Sequence, residues 1–190
     1  MSLQQILSDR GIESANAEAS KYCLAEMSAH PDLCARLEFH GVPHRSLWRL
    51  EQPSALERHA PCLFPSVAGS EFDNWLGSVL DALPLSVVFT RLPIERLASH
   101  LRRFIKFQDD DGRYFLRLGA PAALRLYLGS IAQEASTVAR WFGHQGVESL
   151  YLHDPGIALA LRVQPLFEQG WNSAGREGCL VWRDALPRGA

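Results

Sequence analysis

The sequence predicts an α/β protein of mixed α+β character, a mixed β-sheet flanked by helices with a long helix after a central β-hairpin. Three observations lead there. Runs of strand length and runs with helical spacing intermingle without strict βαβ alternation. Leu85–Thr90 (LSVVFT), bounded by Pro84 and Pro93 and rich in β-branched residues, reads as a strand buried on both faces. Tyr114/Leu116/Leu118 alternate with Phe115/Arg117, which marks the returning arm of a hairpin, and Pro121 opens the helix behind it.

In chain order, residues 1–20 are polar and alanine-rich. They are expected as a peripheral or partly mobile lead-in with a short helical stretch around Leu3–Leu7. A single domain is expected over 21–184, with a frayed tail at 185–190. Tyr22–Met27 is an apolar run of strand length. His30-Pro31-Asp32 stops it and starts a helix whose apolar stripe is Leu33, Cys34, Leu37 and Phe39, ended by Gly41 and Pro43. Ser46–Leu50 reads as a short strand, and residues 51–69 as loop broken by the apolar piece Cys62–Phe64. Ser70 is placed to cap a helix that buries Phe72, Trp75, Leu76, Val79 and Leu80.

Pro93 suits the first turn of the next helix, with Ile94, Leu97, Leu101, Phe104 and Ile105 on its inner side and Arg96, Arg102 and Arg103 on its outer one. Asp109–Asp111 and Gly112 form the turn of the hairpin. The long helix is expected to run from Pro121 to about Phe142 and to close at Gly143 and Gly146. Three strands follow, Ser149–Leu152, Ile157–Val163 and Cys179–Trp182.

Composition narrows the function. The charged fraction is 21% and the net charge −2, a balance without global attraction to nucleic acid or anionic membrane. Of 19 basic residues only Lys21 and Lys106 are lysines, a bias that suits protein contacts and equally a GC-rich genome. Cys23, Cys34, Cys62 and Cys179 show no Cys-x-x-Cys spacing and read as small buried hydrophobes. The opening MSLQQILSDRG lacks the pattern of a signal peptide, and no apolar run reaches the roughly 18 residues of a membrane span. A cytoplasmic location without membrane association is therefore expected.

Motifs of catalysis are sparse. Gly-x-Ser-x-Gly, a phosphate-cradling glycine loop and His-Glu-x-x-His are all absent from the sequence. His40 and His44 are four apart, but Gly41 and Pro43 forbid the helix that would pair them on a metal. Asp109–Asp111 lacks the alternate spacing of a calcium loop. An enzyme would need a site assembled from dispersed residues such as His100, Glu148 and Asp154. No catalytic residue, cofactor or metal is expected.

Between Arg91 and Arg125, eight basic residues stand against four acidic ones. The stretch reads as a solvated helix face beside a hairpin, or as a docking patch for an acidic protein or, less well, nucleic acid. Trp75 and Trp141 fall on apolar stripes, whereas Trp171, in a turn-rich segment, is either core or an interface anchor.

An ordered series of short motifs resembles the DUF4123 family, adaptors or chaperones of type VI secretion effectors. The series runs through Tyr22-Cys23-Leu24, the helix Pro31–Phe39, Ser46-Leu47-Trp48, Ala60-Pro61-Cys62-Leu63, and Arg91-Leu92-Pro93 to His100-Leu101-Arg102-Arg103-Phe104. Its last motif runs from Asp111-Gly112 to Phe115-Leu116-Arg117 and then Pro121, and the likeness as a whole covers about residues 20–155. The family's Asp-Pro is here Ala120-Pro121, which removes an N-cap, and its aromatic pair is Leu118-Gly119. The resemblance implies a non-enzymatic protein that binds a cognate toxic effector and brings it to the VgrG spike. It implies that Arg117 and Pro121 fix the hairpin-to-helix corner and that Leu101 fills the core. Recognition is pair-specific in the family, so Arg102, Arg103, Arg117, Trp171 and neighbouring loops are the expected partner contacts.

Overall fold

Leu3 and Leu7 lie one turn apart and form the buried side of α1 (Leu3–Asp9), where Ser2 Oγ accepts the Gln5 N–H at 3.2 Å. The computed structural model describes residues 1–14, 16, 18–48, 55–108, 112–144, 146–167 and 175–185. Trp171, Leu50, the Asp109–Asp111 turn and the tail from 186 onward lie outside the described residues.

After α1 come β1 (Ser20–Glu26), α2 (Leu33–Phe39), β2 (Arg45–Ser46), β3 (Pro61–Pro65), α3 (Glu71–Val79) and β4 (Leu85–Thr90). The chain continues through α4 (Ile94–Leu101), β5 (Lys106–Gln108), β6 (Arg113–Phe115), α5 (Pro121–Ile131) and α6 (Ala135–Trp141). It ends with β7 (Val147–Asp154), β8 (Leu159–Pro165), β9 (Arg176–Glu177) and β10 (Leu180–Asp184). Eight strands make one sheet in the order β2-β3-β1-β4-β7-β8-β10-β9, and β5 and β6 form a separate hairpin. Every described pairing is antiparallel, where a mixed sheet was expected. The α/β class and the flanking helices are as the sequence predicts.

Strand alternation divides the interior into two layers. Phe64, Cys23, Val87 and Tyr151 are paired across β3, β1, β4 and β7, and they pack with Leu3, Leu7, Leu33, Leu37, Phe72 and Leu76 of the first three helices. On the opposite face Tyr22, Val88, Leu150, Val163 and Trp182 form a matching row from β1 to β10, covered by Leu97, Leu101, Leu124, Leu128, Val138 and Trp141 of α4–α6. All of β4 is buried, as its near-continuous apolar run predicts, and Ser86 and Thr90 are buried with it.

Several boundaries differ from expectation. Leu3, Leu7 and Ile12, in the expected peripheral lead-in, are all at most 1% exposed and belong to the first layer. Cys62–Phe64, expected inside a loop, is the middle of β3, whose long-range pairing with β1 gives no local signal. In α2 only Leu33 and Leu37 are buried, while Cys34 is exposed and Phe39 is 77% exposed. The expected long helix is two helices. Its break follows from the turn before β10: Cys179 N–H donates to Ala132 O at 2.8 Å, and Gly178 lies so close that a Cβ there would be 2.2 Å from the same oxygen. That carbonyl is drawn out of the helical ladder, and Glu134 adopts extended backbone before α6 begins.

Ser70 caps α3 as expected, its Oγ accepting the Asp73 N–H at 3.1 Å. Asp73 itself is fully buried and accepts from Gln4 N–H, Ser66 Oγ–H and Gly69 N–H, joining α1 to the start of α3. Among the described residues no helix is long and apolar enough to cross a membrane.

Candidate partner-binding groove

The alternation that defines the hairpin continues past β6. Leu116 and Leu118 turn inward and are buried, whereas Phe115 and Arg117 face out. Leu116 N–H donates to Ile105 O at 2.8 Å, and two short turns follow, Leu118 N–H to Leu116 O and Ala120 N–H to Arg117 O, both at 2.9 Å. Pro121 then takes the first position of α5, with no side-chain cap from Ala120.

Two features fasten this corner to the end of β1. Arg117 forks onto Glu26, Nε to Oε1 at 2.8 Å and Nη2 to Oε2 at 2.7 Å. The carboxylate is 11% exposed and the guanidinium side chain 68% exposed, so the pair spans the surface boundary. The bond to Glu26 raises the Arg117 pKa above its ordinary value. Gly119 is the second feature: a Cβ there would lie 2.6 Å from Glu26 N, so the backbone approaches β1 closer than any side chain permits.

Between this corner and the segment after β2 opens a groove of about 810 Å³. Leu47, Ile105 and Leu116, all at most 9% exposed, supply its apolar floor. Trp48 and Phe115 stand on its walls with ring centroids 6.4 Å apart, and Phe115 is 60% exposed. Among the described residues, Arg102, Lys106 and Arg117 line it as cations, against the single carboxylate of Glu26. Lys106 Nζ sits 5.6 Å from the Phe115 ring centre, a cation–π distance. Arg102 donates from Nη2 to Ser46 O at 2.7 Å and from Nε to Leu47 O at 3.3 Å, which fixes the backbone on the opposite wall.

Of the residues expected as partner contacts, the structure brings Arg102 and Arg117 together on this groove. Arg103 is exposed and does not line it; its charge instead acts on His100. Trp171 is outside the described residues. Sequence reasoning missed Trp48 and Phe115 as contacts and counted Lys106 only within the basic stretch from Arg91 to Arg125. The signal for Phe115 was present, because the alternation that buries Leu116 and Leu118 turns Phe115 outward with Arg117.

The dispersed enzyme candidates are not assembled. His100 Nε2 lies 2.7 Å from Trp141 O, Asp154 Oδ1 accepts from Gly156 N–H, and Glu148 accepts from Ser14 Oγ–H and pairs with Arg91. Glu148 and Asp154 stand near opposite ends of β7, about 20 Å apart at strand rise. Among the described residues no group of His, Cys, Asp and Glu is placed to hold a metal ion.

The model of a family described as a domain of unknown function, DUF4123, matches residues 21–137, which run from β1 into the first turn of α6 and contain all the described residues that line the groove. No curated protein and no solved structure matches the chain.

Proposed function

The chain belongs to the DUF4123 family, and we propose that it is a cytoplasmic adaptor or chaperone that binds a cognate type VI secretion effector and promotes its loading onto the VgrG spike. The observation that carries this reading is the groove. An aromatic side chain as exposed as Phe115, beside Trp48 at the mouth of an apolar-lined concavity, leaves apolar surface open to water in the isolated chain. Such surfaces mark sites where another polypeptide docks. The rigid corner built by Arg117, Glu26 and Gly119 supports the same reading, because a preorganised surface loses less entropy when a partner binds.

Co-expression with a candidate toxin, taken from the products of its neighbouring genes, tests the proposal. The two chains should co-elute from size exclusion, and the complex should bind the spike protein. Two soluble, folded chains that elute separately would refute the adaptor role.

A further inference from the structure

We infer that the groove takes an extended segment of the partner in which carboxylates flank a large apolar side chain. The inference rests on the adaptor reading and adds the chemistry of what is recognised.

Among the described residues three cations line the groove, Arg102, Lys106 and Arg117, and the one carboxylate there, Glu26, is already occupied by Arg117. The excess of positive charge among these described residues lies within the groove, so it acts on whatever enters. Lys106 meets the Phe115 ring and forms no ion pair among the described residues. Its three donors suit a carboxylate at the mouth. Arg117 uses Nε and Nη2 on Glu26, and the rest of its largely exposed guanidinium remains for a second acceptor.

Below this charged rim the surface is apolar. Leu47, Ile105 and Leu116 form a floor between the rings of Trp48 and Phe115, which suits an aliphatic or aromatic side chain. The two zones are adjacent: Phe115 and Arg117 lie two residues apart on one face, the spacing at which side chains of an extended chain recur. A strand-like segment alternating acidic and apolar residues meets both zones. Nucleic acid fits less well, because its bases stack on exposed aromatic faces and have no use for a buried aliphatic floor.

The test is a fluorescence-anisotropy titration of the full chain with a short labelled peptide that alternates Asp or Glu with Leu and Phe. Matched peptides carry Gln or Lys at the acidic positions, and a single-stranded oligonucleotide of equal charge serves as the fourth probe. The acidic peptide should bind best and weaken as salt rises. Lys106→Glu and Phe115→Thr should each weaken it by roughly three- to tenfold with the melting temperature unchanged. Equal binding of the Gln or Lys peptide, tighter binding of the oligonucleotide, or unaltered affinity in both variants overturns the inference, as does a wild-type chain that binds no peptide. The same variants then go into co-elution with the toxin. If they co-elute as the wild type does, the adaptor role stands and the groove is not its recognition site. If the wild type itself fails to co-elute, the adaptor role falls, and the peptide titration alone decides the groove.

Discussion

Arg117 and Glu26 form a two-pronged ion pair, at 2.8 and 2.7 Å, between the loop after β6 and the last residue of β1. Its asymmetry decides what each half contributes. Glu26 is buried and Arg117 is exposed.

Removal of the arginine strands a carboxylate out of water, whereas removal of the carboxylate leaves a guanidinium that water solvates. Arg117→Met should therefore cost more stability than Glu26→Gln. About 1–3 kcal/mol is expected for the first and under about 1 kcal/mol for the second, values that already allow for solvent screening at Arg117. Urea denaturation of the two variants and of the double variant measures this directly. The reverse ranking would show that the pair does not fasten the corner.

The N-terminal helix is tied to the core by an equally local device. Gly77 in α3 lies under the start of α1, where a Cβ would come within 2.1 Å of Met1 O and 2.8 Å of Leu3 N. Backbone rather than a flexible side chain occupies the space, so Gly77→Ala must push the segment away or bend α3. It should lower stability by about 1–3 kcal/mol despite the gain in helix propensity. Hydrogen exchange should show lost protection over residues 3–9, with β4 and β7 least affected. Unchanged protection in that segment would contradict a docking role for Gly77.

A buried histidine links stability to pH. His153 is 6% exposed; its Nε2 lies 2.9 Å from Leu80 O, and its Nδ1 3.3 Å from the Tyr151 hydroxyl. That hydroxyl accepts from Arg10 Nη1, which leaves its proton for the histidine, so a neutral ring donating from Nε2 satisfies every group. Burial, partly offset by the Leu80 carbonyl and assisted by the Arg10 charge, lowers the pKa of His153 below its ordinary 6.5. His100 is lowered as well, by burial first and then by the charges of Arg103 and His144 against the Trp141 carbonyl.

Because both folded values lie below the unfolded one, the unfolded chain binds more protons as pH falls. The stabilising difference is complete above about pH 6.5 and is lost as pH drops through the lowered folded values. Denaturation midpoints should fall between about pH 7.5 and about pH 5.5, a window above most carboxylate titration. The fall should shrink in a His153→Gln, His100→Gln double variant. An identical pH dependence in that variant would assign the effect to other groups.

Much of the fold was legible locally. The apolar run of β4, the Ser70 cap, the helical stripe from Leu97 to Leu101 and the proline at the start of α5 each report on a few adjacent residues. Hydrophobic period and capping chemistry act over that range, and there the expectations stand. The break between α5 and α6 is different. Residues 121–142 carry a continuous helical stripe, and the contact that interrupts it comes from Gly178 and Cys179, far along the chain. β3 is similar, since two prolines frame a short run that becomes a strand only by pairing with β1.

The groove divides in the same way. Sequence alone nominated Arg102 and Arg117 and implied the outward turn of Phe115, because charge and alternation belong to single residues and their neighbours. Tertiary structure decided that Trp48 faces Phe115 across an apolar floor, that Arg102 fastens the backbone of Ser46 and Leu47, and that Glu26 occupies Arg117. These meetings depend on sheet order and on the angle of one loop against a distant strand end. They are set by the packing of the whole chain, and no short window of residues carries that information.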